Sequence, residues 1–120
     1  MPSPPEYPLD PEELRRRLGK MREGYRSRVP AKIAAIEALW SRVRETEAMR
    51  QVCDEARNDL VLAVHTMVGS APTLGCERLG AAAKALEGRL RVRFARAQSL
   101  SEEELISIGR LVEALGQAID

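Results

Sequence analysis

Apolar residues recur with the helical period along almost the whole chain, and this pattern constrains the fold more than any other feature. In successive stretches the apolar side chains are three or four residues apart, which places them on one face of an α-helix. No stretch shows the alternation of apolar and polar residues that is typical of a half-buried strand. The sequence therefore predicts an all-α protein. Short connections favour an antiparallel up-down four-helix bundle with one additional N-terminal helix.

The N-terminal part of the domain is predicted to contain two helices. Asp10 is a suitable N-cap, and Pro11 suits the first helical position. The first helix is expected to lie across the bundle. Pro30 is expected to start the second helix, which ends near Thr46. The apolar seams are Leu14, Leu18, Met21 and Tyr25 in the first helix, and Val29, Ile33, Ile36, Trp40 and Val43 in the second.

Three further helices are predicted in the rest of the chain. The third, over about residues 47–71, ends before Pro72 because proline fits poorly inside a helix. The fourth covers about residues 76–97. The last opens at Ser101 with a capping box that Glu104 completes. The predicted bundle is therefore built from helices two to five.

Length and composition indicate one soluble domain and exclude several function classes. The 120 residues suffice for one core but not for two. Residues 1–9 contain four prolines and are expected to be a disordered arm, which leaves residues 10–120 as a single helical domain. A net charge of +1 gives no electrostatic argument for nucleic acid or an anionic membrane. There is no apolar run of about 20 residues and no secretory signal, so a cytoplasmic location is expected. The protein is also expected to be a monomer.

The single histidine, His65, is predicted to face solvent from the third helix. With side chains about 100° apart, His65 lies about 160° from the middle of that helix's apolar stripe. Its neighbours three and four positions away are Val61, Leu62, Val68 and Gly69, so no acid or base is expected beside the imidazole. An exposed histidine ringed by apolar side chains indicates a docking surface. One histidine without inward-facing acids offers no metal-ligand set.

Gly69 supports this interpretation. A glycine inside a helix costs about 1 kcal/mol relative to alanine. What it provides is open space one turn from the imidazole, where a large partner can approach.

The residues around His65 also resemble a known family. The run HTMVGSA, from His65 to Ala71, resembles the motif H-x-L-K-G-S-[SA]-x-x-[LF]-G of the histidine-containing phosphotransfer (HPt) domain, which is followed by a helix containing L-E. One departure from the motif matters: the lysine that many members place three residues after the histidine is Val68 here. The downstream matches are Leu74-Gly75, Leu79 and Leu86-Glu87.

The resemblance implies a histidine phosphotransfer domain of a two-component phosphorelay. On this interpretation His65 accepts and donates a phosphoryl group that it exchanges with the aspartate of a receiver domain. The protein is then a phosphoryl carrier and not an enzyme. It needs no cofactor of its own, because the receiver supplies the Mg²⁺. The implied partners are a response-regulator receiver domain, a hybrid sensor histidine kinase, or both.

The docking surface and the phosphate ligands follow as expectations. Gly69 is expected to leave space for the receiver domain to approach. The residues expected to contact the receiver are Val61, Leu62, Thr66 and Val68. Val68 cannot neutralise a phosphohistidine, so a cation from elsewhere is expected to do so.

Three side chains are candidates to stabilise phosphate on His65: Ser70, Lys84 and Arg91. The chain reverses direction before the fourth helix. Lys84 is therefore expected to lie level with His65, and Arg91 two turns further along the same flank.

Another interpretation stays open. A helical adaptor that binds a receiver but cannot be phosphorylated would share this scaffold, and the valine at position 68 is consistent with it. A plain helical adaptor would share the core but would give no reason for Gly69. Transfer of an acid-labile, base-stable label from a phosphorylated receiver distinguishes a carrier from both adaptors.

Overall fold

A computed structural model describes residues 10–119, which form four α-helices and no strand. The all-α prediction is therefore confirmed over these residues. The predicted arm of residues 1–9 lies outside the described part of the chain and stays a prediction. The helices are α1 (Pro11–Ala48), α2 (Asp54–Thr73), α3 (Glu77–Phe94) and α4 (Glu102–Gln117).

The helices pack in a ring in which consecutive helices are neighbours and α4 closes against α1. Contacts show that α2 and α3 are antiparallel: Pro72 lies against Gly80, whereas His65, earlier in α2, lies against Glu87, later in α3. The same reversal holds between α1 and α2 and between α3 and α4. This arrangement is that of an up-down-up-down bundle.

The two predicted N-terminal helices are one continuous 38-residue helix, so the prediction of an additional helix is corrected. Pro30 lies inside α1 with its ring exposed to solvent. A proline removes one backbone hydrogen bond and costs about 3 kcal/mol in a helix interior. Here Val29 and Ile33 on either side of it are both buried in the core, and this packing offsets the local cost.

The first part of α1 does not lie across the bundle as predicted. It continues α1 beyond the level of Tyr25, the first buried residue of the helix. Leu14 and Met21 are 43% and 56% exposed because no other described helix covers this end.

The core consists mainly of aliphatic side chains from all four helices, as the helical period predicted. Tyr25 and Trp40 are its buried aromatic residues, and Trp40 anchors α1 as expected. Predicted inward positions that are fully enclosed include Leu60, Val64, Leu79, Leu86, Leu90, Ile108 and Leu115.

Both ends of the histidine-bearing helix differ from the prediction. α2 begins at Asp54 and not near residue 47, because residues 49–53 form a connection in which Arg50 has a φ of +59°. A residue in this left-handed region commonly terminates a helix. At its other end α2 includes Pro72, and the reversal follows at Gly75, whose φ of +90° suits glycine.

A buried ion pair ties the α1–α2 end of the bundle to the α3–α4 connection. The carboxylate of Glu47 accepts two hydrogen bonds from the Arg57 guanidinium, at 2.8 and 2.9 Å. Arg57 also donates to the carbonyl oxygens of Arg96 and Gln98, and Glu47 accepts from the backbone N–H of Leu100. Both side chains are almost fully buried, so the network is largely shielded from water.

Candidate functional site

His65 projects from α2 into solvent, as predicted, with 60% of its side chain exposed. The imidazole nevertheless has an acidic neighbour, because its Nδ1 lies 2.5 Å from Oε2 of Glu87. The prediction that no acid or base adjoins His65 is therefore wrong. It considered only residues on the same helix, whereas Glu87 comes from α3.

The register between α2 and α3 places Glu87, and not Lys84, level with His65. The register is fixed where Pro72 meets Gly80: a Cβ at Gly80 would lie 2.4 Å from the proline ring, so the helices approach closely there. Seven residues back from Pro72 is His65, and seven forward from Gly80 is Glu87. The predicted register differs from the observed one by about one helical turn, because α2 continues through Pro72 to Thr73.

The Glu87 carboxylate is held in its ionised form. Its side chain is only 13% exposed, and it accepts a hydrogen bond from Arg91 Nη2 at 2.9 Å in addition to the bond with His65. Burial raises the pKa of Glu87, but the hydrogen bonds from Arg91 and His65 outweigh this and hold the pKa below its ordinary value. An ionised carboxylate only accepts hydrogen bonds.

This bond defines the roles of the two imidazole nitrogens. Because Glu87 can only accept, Nδ1 of His65 carries the hydrogen that it donates. In the neutral ring Nε2 then has no proton and presents a lone pair. The arrangement therefore provides a nucleophilic nitrogen on an exposed side chain.

The other two candidate phosphate ligands, Arg91 and Ser70, are already engaged in hydrogen bonds. Arg91 is one turn beyond Glu87 and pairs with its carboxylate, instead of standing two turns from the level of His65. Ser70 Oγ donates to the carbonyl oxygen of Thr66 and lies 3.0 Å from the Tyr25 hydroxyl. Ser70 therefore faces α1, whereas Glu87 approaches His65 from α3.

The predicted docking residues lie within one turn of His65 on α2. Leu62 is 65% exposed and places an apolar side chain on the surface within one turn of the imidazole. A Cβ at Gly69 would have no non-neighbouring atom within 4 Å. Val61 and Val68 are half-buried at the edge of the core. Thr66 is exposed, and its hydroxyl donates to the carbonyl oxygen of Leu62.

The family model of the Hpt domain matches residues 12–119, nearly the whole described chain. The chain belongs to the Hpt domain family. Hpt domains are phosphocarrier modules of two-component phosphorelays and interact with receiver domains and kinases. Neither the curated proteins nor the solved structures compared with this chain contain a match.

The departure of this Hpt domain from the family motif has a structural counterpart on α3. Lys84 lies level with Val68, the position at which many members carry lysine, because the register that pairs His65 with Glu87 also pairs positions 68 and 84. Within the described residues no hydrogen bond or ion pair engages the exposed Lys84 ammonium. A cation is thus retained at this level but comes from the neighbouring helix.

A groove between α1 and α2 borders the docking surface of this Hpt domain at Thr66. Its floor is apolar, and Lys32 at its edge lies 5.6 Å from the ring centre of Tyr25. The sequence did not predict this groove, because it forms only where two helices meet. The lining residues are Lys32, Ala35, Ile36, Ala63, Thr66, Met67 and Ser70. Among residues 10–119, no helix combines the length and apolar character needed to cross a membrane.

Proposed function

We propose that Nε2 of His65 accepts a phosphoryl group from the aspartyl phosphate of a receiver domain and can donate it to another receiver. The observation that carries this proposal is the bond between His65 Nδ1 and Glu87 on an otherwise exposed imidazole. A non-phosphorylatable adaptor has no need of a carboxylate that fixes the histidine tautomer. The phosphoryl carrier is therefore favoured over the receiver-binding adaptor.

The transfer is a displacement at phosphorus. The lone pair of Nε2 forms the N–P bond while the bond between phosphorus and the aspartyl oxygen breaks, and the aspartate leaves as a carboxylate. No proton needs to move, because the hydrogen on Nδ1 stays in place. The phosphorylated ring then carries a positive charge, which the Glu87 carboxylate stabilises as a carboxylate stabilises the imidazolium of a catalytic triad.

The partner supplies what this chain lacks for the displacement. Phosphoryl transfer depends mainly on in-line positioning and on neutralisation of charge. We expect the receiver to bring the Mg²⁺ that neutralises the phosphoryl oxygens. The exposed Leu62 and the open space at Gly69 offer a surface on which the receiver can dock. The domain is expected to work as a cytoplasmic monomer.

Lys84 is our proposed stabiliser of the phosphorylated state. The phosphoryl group carries close to two negative charges, and a nearby ammonium stabilises such a group through charge-assisted hydrogen bonds. Lys84 is one turn from Glu87, and its ammonium has no partner within residues 10–119. Ser70 is a weaker candidate, because its hydroxyl is already bonded towards α1.

Replacing Glu87 with alanine is expected to slow phosphorylation of His65 about tenfold to a hundredfold. The change removes the acceptor that fixes the tautomer and orients the ring, and loss of such a partner typically has effects of this size at metal-bound histidines. The measurement is the rate of labelling by a phosphorylated receiver and by the small donor phosphoramidate. Glu113→Ala, an exposed glutamate of α4, is the control. A rate equal to that of the wild type would remove Glu87 from the mechanism.

Changes at Gly69 are expected to separate stability from binding. Gly69→Ala should stabilise the protein by about 0.5–1 kcal/mol in urea unfolding, because α2 gains a better helix former and the new methyl group meets no atom. Gly69→Gln should weaken receiver binding about tenfold in calorimetric titration, since its side chain obstructs the docked surface.

The matched control for this pair is Gly116→Gln. Gly116 is also exposed and open, but it lies on α4, which is not a neighbour of α2 in the ring. Receiver affinity should not change in this variant. Unchanged affinity in Gly69→Gln would contradict the assigned docking surface.

The proposed function is tested by mixing the protein with receiver domains of the source organism that have been phosphorylated by acetyl phosphate. The expected result is an acid-labile, base-stable phosphate on the protein and a matching loss from at least one receiver. Binding of a receiver without any transfer would instead support the adaptor.

A further inference from the structure

We infer that Arg91 is a positioning residue that acts on His65 through Glu87, and does not act on the phosphoryl group itself. This inference deepens the proposed function and rests on it for the transfer step. Its structural basis is that Arg91 and His65 bond to the same carboxylate oxygen.

His65, Glu87 and Arg91 form one hydrogen-bonded network with the Glu87 carboxylate in the middle. Oε2 of Glu87 accepts from Nδ1 of His65 at 2.5 Å and from Nη2 of Arg91 at 2.9 Å. Arg91 follows Glu87 by four residues on α3, a spacing at which side chains on one helix face meet. The guanidinium is thereby directed to the carboxylate that orients the imidazole.

The positive charge of Arg91 controls which atoms of His65 and Glu87 carry protons. Without the Arg91 guanidinium, the negative charge of the largely enclosed Glu87 carboxylate would have no balancing cation. Either the imidazole of His65 would then take up a second proton, or the carboxylate itself would be protonated. In the first case both ring nitrogens are protonated. In the second, the carboxyl group could donate to Nδ1, which leaves the hydrogen on Nε2. Either change occupies the nitrogen that must attack phosphorus.

The pairing of the Glu87 and Arg91 charges also affects the incoming phosphoryl group. An unpaired carboxylate beside the imidazole would repel the negatively charged phosphoryl oxygens. Arg91 offsets that charge while leaving the bond to Nδ1 intact. The pair of Glu87 and Arg91 therefore orients the imidazole without a net negative charge at the site.

Other arginines of α3 and its following connection are engaged elsewhere. Arg89 donates to Ser107 on α4, and Arg93 and Arg96 pair with Glu104. Lys84 lies one turn towards the α2–α3 turn and is not bonded to Glu87. Within the described residues, Arg91 is thus the cation that is paired with the carboxylate facing His65.

A double-mutant cycle tests whether Arg91 acts through Glu87. The rate of labelling by phosphoramidate is measured for Arg91→Gln, Glu87→Gln and the double variant. Arg91→Gln alone should slow labelling roughly threefold to fivefold, the size expected of a half-exposed charge pair. In the Glu87→Gln background, Arg91→Gln should change the labelling rate by less than about twofold, because the carboxylate through which Arg91 acts on His65 is absent. Arg89→Gln should label like the wild type.

Full additivity of the two changes would overturn the inference, because it would mean that Arg91 acts directly on phosphate. An unchanged rate in Arg91→Gln would overturn it as well. Arg91→Lys keeps the charge and should restore the rate to within about twofold of the wild type. A purely structural role would show instead as a loss of thermal stability in Arg91→Gln.

A second measurement does not depend on transfer. The protein is labelled with ¹⁵N in histidine alone, and the nitrogen shifts of unphosphorylated His65 report protonation at each ring position at pH 7.5. Nε2 should be largely unprotonated in the wild type and in Arg91→Lys, and clearly more protonated in Arg91→Gln. Equal Nε2 protonation in all three proteins would overturn the inference. If the wild type accepted no phosphate, the proposed function would fail, and these shifts would still decide the role of Arg91.

Discussion

Replacing His65 with glutamine is expected to abolish phosphoryl acceptance. The amide of glutamine has a similar reach but no nucleophilic nitrogen, so labelling by a phosphorylated receiver should fall below detection. His65 is the single histidine of the chain, so no second imidazole can substitute. The assay is the amount of acid-labile, base-stable phosphate on the protein after mixing with the receiver.

The control for this prediction is that the variant still folds and still binds. His65 is exposed and contributes nothing to the core, so the unfolding temperature should change by no more than about 2 °C. Receiver affinity should stay within about threefold, because the apolar docking surface is intact. Equal labelling of the wild type and His65→Gln would contradict the assignment of His65 as the acceptor.

Replacing Arg57 with alanine is expected to destabilise the fold by about 3–5 kcal/mol. Removing one partner of a buried ion pair leaves the other charge uncompensated in a medium of low dielectric constant. Here the carboxylate of Glu47 would lose both guanidinium bonds, and two carbonyl oxygens of the α3–α4 connection would lose their donors. Thermal unfolding followed by circular dichroism should show a midpoint about 10–25 °C lower.

Two control variants test whether the destabilisation by Arg57→Ala comes from the burial of the ion pair. Arg42→Ala removes exposed pairs with Asp59 and Glu55 and should leave the unfolding midpoint close to that of the wild type. The double change Glu47→Leu with Arg57→Met replaces both charges by apolar groups and should be less destabilising than Arg57→Ala alone. A loss of under about 1 kcal/mol for Arg57→Ala would contradict the structural role of the network.

The helix faces could be predicted from the sequence because they depend on local spacing. Leu60, Val64 and Met67 are separated by four and three residues, and all three are buried. The same spacing places His65 on the opposite face, where it is exposed. The capping box of Ser101 and Glu104 forms as predicted, with both reciprocal hydrogen bonds present.

Features that depend on how helices meet could not be predicted in this way. The partnership of His65 with Glu87 depends on the register between α2 and α3. That register depends on whether α2 ends before or after Pro72. Proline disfavours a helix interior because it lacks a backbone N–H, but Pro72 lies in the last turn of α2 and its ring packs against Gly80 of α3, a contact that local spacing does not reveal. Two more helical residues shift the level of every residue on α3.

The continuity of α1 through Pro30 escaped prediction for a related reason. The local cost of proline can be estimated from sequence, whereas the packing of Val29 and Ile33 that offsets it is a property of the folded core. The ion pair of Glu47 and Arg57 is a third example. Charged residues are almost never fully buried unless they are paired. These two partners come from different helices on either side of the 49–53 connection, and no periodic pattern links them.

The central claim, that Nε2 of His65 carries the phosphoryl group while Nδ1 stays bonded to Glu87, is tested most directly by ¹⁵N and ³¹P NMR of the phosphorylated protein. With ¹⁵N in histidine alone, the single imidazole yields one pair of nitrogen signals. The account predicts that phosphate transferred from a receiver couples to Nε2, and that the Nδ1 proton remains visible in the wild type but exchanges faster with water in Glu87→Ala. Phosphate coupled to Nδ1, or a receiver that binds without giving rise to any phosphohistidine signal, would contradict it.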